Sequence, residues 1–145
     1  PAATAPAQTG SLSPSPVRSS SPTILVVDDH DLNRELSSAL LERFGYRVLL
    51  AENGAVGVDT ARRERPDLVL MDLAMPVKDG FTAAAELKSH PLTGSIPILA
   101  LTALAMPGDE QRALDAGFDG YLTKPIDPHD LEKAVARALG ASAAR

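Results

Sequence analysis

From Thr23 onward, short continuous apolar runs alternate with longer stretches whose apolar residues recur at helical spacing. The runs are TILVVD (23–28), YRVLLA (46–51), DLVLMD (67–72), IPILALT (96–102) and DGYLT (119–123). Each is of strand length and rich in β-branched or large aliphatic residues. Between the first two lies DLNRELSSALLERF (31–44), where Leu32, Leu36, Leu40 and Phe44 recur every fourth residue, predicting an amphipathic helix that Gly45 ends. Asp31 is the expected N-cap. GAVGVDTARRER (54–65), FTAAAELKSH (81–90), the weakly apolar GDEQRALDAG (108–117) and DPHDLEKAVARALG (127–140) fill the remaining gaps as helices. Strand starts recur at the spacing of a strand, a crossover helix and two loops. ILVV, LVLM and ILAL have no polar alternation, as expected of strands covered on both faces, so the pattern predicts a parallel sheet within a three-layer α/β sandwich.

Residues 1–22 break this pattern. They hold five prolines, six serines and a single charge, Arg18. Such a composition buries too little apolar area to offset its ordering entropy and reads as a disordered linker. The expected organisation is therefore a linker over 1–22, one domain over 23–140 and a short tail over 141–145. A start at Pro1 rather than Met reads as the cut end of a longer chain.

Composition narrows the function. Fourteen Lys and Arg against nineteen Asp and Glu leave a net charge of -5, which repels phosphate backbones and anionic lipids. Aromatic residues make up 3%, too few to form a base-stacking platform. No direct nucleic-acid partner and no membrane insertion are expected, since no apolar run nears the roughly 18 residues of a span. With no cysteine there is neither a disulfide framework nor a thiolate metal site, which suits a cytoplasmic protein.

Ligands of a parallel α/β sheet bind outside the carboxyl ends of its strands. The residues at those ends are Asp28 and Asp29, Asp72, Thr102, and, after the fifth run, Lys124 and Pro125. Three carboxylates on one rim repel one another unless a cation compensates, and a hard, oxygen-ligated ion such as Mg²⁺ is suited to that task. A carboxylate beside such an ion can attack phosphorus and form an aspartyl phosphate, while an ammonium and a hydroxyl neutralise and hydrogen-bond the transferred oxygens. His30, His90 and His129 lie in separate segments without ligand spacing and receive no role. Met71, Met75 and Met106 read as packing residues. Asp79-Gly80 reads as a turn.

VVDDH, LVLMDLAMPVKDG, ALTALA and GYLTKPID, in this order and spacing, resemble the motif set of response-regulator receiver domains across about residues 23 to 140. That resemblance implies a flavodoxin-like doubly wound sheet of five parallel strands, order 2-1-3-4-5, with five helices. It implies Asp72 as phosphoacceptor, Asp29 and Asp72 as direct ligands of Mg²⁺ or Mn²⁺, Asp28 as a ligand through water, and the Ala74 carbonyl as a third protein ligand. Lys124 and Thr102 would contact the phosphoryl group, and Tyr121 resembles the switch aromatic. A cis bond before Pro125 is a further expectation of the resemblance. The run that contains Asn33-Arg34 looks like receivers attached to hybrid histidine kinases. Two positions depart from the pattern: Lys78 stands where a methionine is common, and Ala74 offers no polar side chain to position hydrolytic water.

The resemblance thus implies a signalling domain rather than an enzyme, phosphorylated on Asp72 from the phosphohistidine of a kinase or phosphotransfer domain. An aspartyl-phosphate phosphatase or phosphotransferase is the rival in another class. Such enzymes often carry a second acid two residues after the nucleophile, where this chain has Ala74. A degenerate receiver used only for docking is the third reading, opposed by the complete acidic set. Nothing in the sequence specifies the oligomeric state.

Overall fold

In the computed structural model, the described residues are 21–73, 75, 78–103 and 107–143. The expected linker lies outside them except for its last two residues, as does Ala74. Five strands, β1 (Thr23–Val27), β2 (Arg47–Ala51), β3 (Leu68–Asp72), β4 (Ile98–Thr102) and β5 (Gly120–Thr123), alternate with α1 (Asp31–Arg43), α2 (Gly54–Glu64), α3 (Gly80–Ser89), α4 (Asp109–Asp115) and α5 (Pro128–Ala143). All pairings are parallel and the sheet order is β2-β1-β3-β4-β5. The expected flavodoxin-like topology is therefore the observed one.

Because successive side chains of a strand point to opposite faces, each apolar run feeds two cores. Ile24, Val26, Leu68, Leu70, Leu99 and Leu101 pack with Leu40 and Leu41 of α1 and with Leu131, Val135 and Ala138 of α5. Leu25, Val27, Val69, Met71, Ile98 and Ala100 pack with Val58, Ala83, Ala84 and Leu87 of α2 and α3, and with Ala113 and Phe118 at and beyond α4. ILVV, LVLM and ILAL lack polar alternation because neither face of β1, β3 or β4 meets water, whereas Leu50 of the edge strand β2 is 49% exposed.

The stripe read along α1 is only half right. Leu40 and Leu41 are buried, whereas Leu32 is 76% and Leu36 48% exposed. A residue advances about 100° around a helix, so a strict four-residue repeat drifts by roughly 40° each step and leaves the core face within two steps. Ser37, not Leu36, turns inward. Asp31 is not the cap either: His30 occupies the N-cap without a side-chain hydrogen bond, and Asp31 is the first helical residue. At the other end Gly45 adopts φ +97°, while Tyr46 N–H donates to the Leu41 carbonyl, a left-handed helix stop as expected. The fourth run enters the sheet at Ile98 rather than Ile96, since Pro97 has no N–H to donate. Among its described side chains α4 buries only Ala113, and it leaves Leu114 45% exposed.

Candidate functional site

Strand register brings the acidic residues together. β1 and β3 pair Val26 with Leu70 and Val27 with Met71, so one further residue along the same register sets Asp28 opposite Asp72. β3 pairs Asp72 with Leu101, and β4 pairs Leu101 with Leu122. Lys124, two residues beyond Leu122, therefore returns to the face shared by Asp28 and Asp72. Its ammonium lies 3.1 Å from Asp28 Oδ2 and 3.4 Å from Asp72 Oδ2. The Lys124–Pro125 peptide is cis.

Asp28 is fully buried, and Asp72 is 3% exposed. Asp28 Oδ1 accepts the His30 N–H at 2.9 Å, which curls the chain after β1 so that Asp29 follows onto the same rim. Asp28 Oδ2 and Asp29 Oδ1 are shielded from solvent yet have no hydrogen-bond partner among the described residues. For Asp28 Oδ2 the Lys124 ammonium is close without hydrogen-bond alignment. Buried carboxylate oxygens left in this state are costly unless a cation completes them. One ligand atom each from Asp28, Asp29, His30 and Asp72 lies within 4.8 Å of the others. The donor set thus fits a small divalent cation.

Arg34 supports this rim from α1. Its guanidinium donates to the Asp28 main-chain carbonyl at 2.7 Å and pairs with Asp31, and its side chain is only 15% exposed. The β3–α3 side is held by Asp79, whose carboxylate caps α3 by accepting from the Thr82 N–H. Asp79-Gly80 is therefore a helix start rather than a free turn. Lys78 pairs with Glu86 of α3, so the departure at that position leaves the carboxylates untouched.

Thr102 ends β4 one residue past the partner of Asp72, and its carbonyl accepts the Lys124 N–H at 2.7 Å. Tyr121 is paired with Ala100, two residues below Thr102, so the Thr102 and Tyr121 side chains project from one face of the sheet. Tyr121 packs, half-buried, against the α2–α3–α4 core. The structure thus gathers Asp28, Asp29, Asp72 and Lys124, and places Thr102 on the adjoining strand with Tyr121 further from the carboxylates. Sequence reasoning missed His30, which stands with Nδ1 3.2 Å from Asp29 Oδ1. Its signal was adjacency to the acidic pair in VVDDH, not ligand spacing. It also missed Arg34 as a support, although Asp31 three residues before marked a pair on one helix face.

A parallel sheet with carboxylates and one ammonium at its carboxyl edge defines a class of phosphoacceptor domains, and comparison with known proteins agrees. The family model for the response regulator receiver domain matches residues 24–136. The chain is 36% identical over 118 residues to the polar-differentiation response regulator DivK of Brucella anthropi, covering 81% of this chain and 96% of that protein. It is 40% identical over 116 residues to the protein PilH of Pseudomonas aeruginosa, covering 80% and 96%. The crystal structure of the receiver domain of the sensor histidine kinase PA1611 from Pseudomonas aeruginosa PAO1, with a magnesium ion coordinated in its active-site cleft, superposes with TM-score 0.77 at 38% identity, covering 83% of this chain and 98% of that one. The chain belongs to the response regulator receiver domain family, and its role is that of a phosphoacceptor receiver in two-component signalling. It is a signalling domain rather than an enzyme of the usual kind. The particular likeness to receivers of hybrid kinases does not separate out: DivK and PilH, matched over 96% of their length, are little longer than one receiver, and the kinase receiver is similar to a comparable degree. Among the described residues, no helix is long and apolar enough to cross a membrane.

Proposed function

We propose that Asp72 is the residue that takes the phosphoryl group, donated by the phosphohistidine of a histidine kinase or phosphotransfer domain in the cytoplasm. The observation that carries this is the Lys124 ammonium between Asp28 and Asp72, beside Asp28 Oδ2 and Asp29 Oδ1, which lack hydrogen-bond partners among the described residues. Asp29, Asp72 and the Ala74 carbonyl would hold Mg²⁺ or Mn²⁺, with Asp28 reaching it through water; when bound, the cation supplies charge neutralisation to the transferred oxygens. The magnesium found in the PA1611 receiver supports this choice. An Asp72 carboxylate oxygen attacks phosphorus as the P–N bond breaks, and the departing imidazole nitrogen keeps the bonding pair and takes up a proton. Lys124 faces the charge that accumulates on the phosphoryl oxygens, and the Thr102 hydroxyl donates to one of them. The domain thereby assists its own phosphorylation and dephosphorylation. We assign the receiver to residues 23–140 and a tethering role to 1–22.

Incubation with a small phosphodonor and Mg²⁺, read by intact mass, should add one phosphoryl group. Asp72→Asn should abolish the added mass while the fold persists, because an amide is a far poorer nucleophile of nearly the same shape. Asp29→Asn should weaken Mg²⁺ binding and slow the reaction. Stoichiometric modification of Asp72→Asn would disprove the assignment.

A further inference from the structure

His30 gives the acidic rim a nitrogen donor. Its Nδ1 lies 3.2 Å from Asp29 Oδ1 and 3.6 Å from Asp28 Oδ1. In an octahedral shell with bonds of about 2.1 Å, adjacent ligand atoms stand roughly 3 Å apart and opposite ones roughly 4.2 Å apart. The His30–Asp29 separation is thus the spacing of two adjacent ligands of one ion. The ligand atoms of Asp29, His30 and Asp72 lie within 4.8 Å of one another, a spread that needs only a small contraction to share one ion, with Asp28 reaching it through water.

The backbone of His30 is held on both sides, its N–H by Asp28 Oδ1 and its carbonyl by the Arg34 N–H. The side chain is free of other duties. It makes no cap hydrogen bond to α1 and is 66% exposed at the mouth of the site. An imidazole whose Cα is fixed can present Nδ1 to an ion with its proton kept on Nε2.

We propose that His30 Nδ1 is an additional ligand of the rim cation, so that the site takes nitrogen-accepting transition dications such as Mn²⁺ and Co²⁺ more readily than an all-oxygen site would. This rests on the cation site proposed above. The chemistry is one of ligand preference: Mg²⁺ favours oxygen donors and keeps its waters, whereas imidazole raises affinity for first-row transition ions. His30 thereby acts on which ion is held, not on where it sits.

The test uses the full chain loaded with Mn²⁺ and pulsed electron paramagnetic resonance, which detects a nitrogen-14 nucleus bonded to the ion. Wild type should show nitrogen modulation, and His30→Ala should lose it. Calorimetric titrations should show Mn²⁺ and Co²⁺ affinity falling about tenfold or more in His30→Ala, since even outer-shell partners of a metal are worth that much. Mg²⁺ affinity should change by less than about twofold, because a water replaces the nitrogen. Mn²⁺ that is bound, and released by Asp29→Asn, yet shows no nitrogen modulation would overturn the ligand role and leave the acidic site standing. Modulation that persists in His30→Ala would do the same. Failure of wild type to bind any of the three ions would overturn both readings.

Discussion

Gly80 lies so close beneath Asp72 that a methyl group on it would stand 2.4 Å from the Asp72 carbonyl oxygen. Its N–H donates to the Leu73 carbonyl at 3.0 Å, so the start of α3 is bonded to the segment that carries the phosphoacceptor candidate. Gly80→Ala cannot be accommodated without moving backbone. It should cost about 1–3 kcal/mol in urea unfolding, the usual range for overpacking. Phosphorylation by a small donor should slow under conditions where the variant is still folded, because the displaced atoms belong to Asp72 and Leu73. A variant with wild-type stability and rate would show that the contact relaxes freely.

Lys124→Gln should separate the two tasks of the ammonium. The change removes the positive charge 3.1 Å from the buried Asp28 carboxylate and 3.4 Å from Asp72. Without metal, the fold should lose stability through uncompensated carboxylate repulsion, and Mg²⁺ should restore much of it. Mg²⁺ should bind more tightly than in wild type, since a competing cation is gone, while the phosphorylation rate falls on the order of a hundredfold, as when one charge-stabilising donor is removed. Parallel losses in both quantities would contradict this division.

Arg34 is predicted to support the loop of the proposed cation site without touching the ion. Its bond to the Asp28 carbonyl is short and mostly shielded, so Arg34→Ala should cost about 1–3 kcal/mol for the orphaned acceptor. Mg²⁺ affinity should fall as the loop over Asp28 to His30 loosens. Arg34→Lys, which retains a donor but not the planar fork that spans Asp28 and Asp31, should recover part of the stability. If calorimetry finds Mg²⁺ affinity unchanged in Arg34→Ala, the loop is rigid without this clamp.

Thr102→Ala should accept a phosphoryl group yet transmit it poorly. The Thr102 and Tyr121 side chains share a sheet face, and a hydroxyl drawn to a charged oxygen can supply roughly 1.5–3 kcal/mol, enough to shift a two-state population tenfold or more. Among its described side chains α4 buries only Ala113, so it is a lightly anchored helix that is easily displaced. Amide chemical shifts from residue 107 to Lys124 should therefore move on addition of a phosphoryl mimic in wild type and much less in Thr102→Ala. Equal shifts in both proteins would exclude coupling through this hydroxyl.

The five apolar runs, their helical interludes and the identity of the rim residues were legible in the chain because they depend on local periodicity and on where polarity interrupts it. A run such as LVLM that never alternates has to lie between two layers, and Asp72 at its end has to emerge at the carboxyl edge. What the chain could not show is whatever depends on two segments meeting in space. The four-residue repeat through Leu32 and Leu36 looked like a core stripe, but only docking against β1 and β2 determined that the inward face runs through Ser37, Leu40 and Leu41. Asp79-Gly80 had the chemistry of any turn, and its close fit beneath Asp72 exists only once α3 is folded back on β3. His30, dismissed for want of ligand spacing, stands beside Asp29 because the Asp28 carboxylate bends the chain after β1. Spacing rules assume a regular helix or strand, whereas this loop takes its shape from a buried carboxylate and an arginine six residues onward, and that geometry exists only in the folded chain.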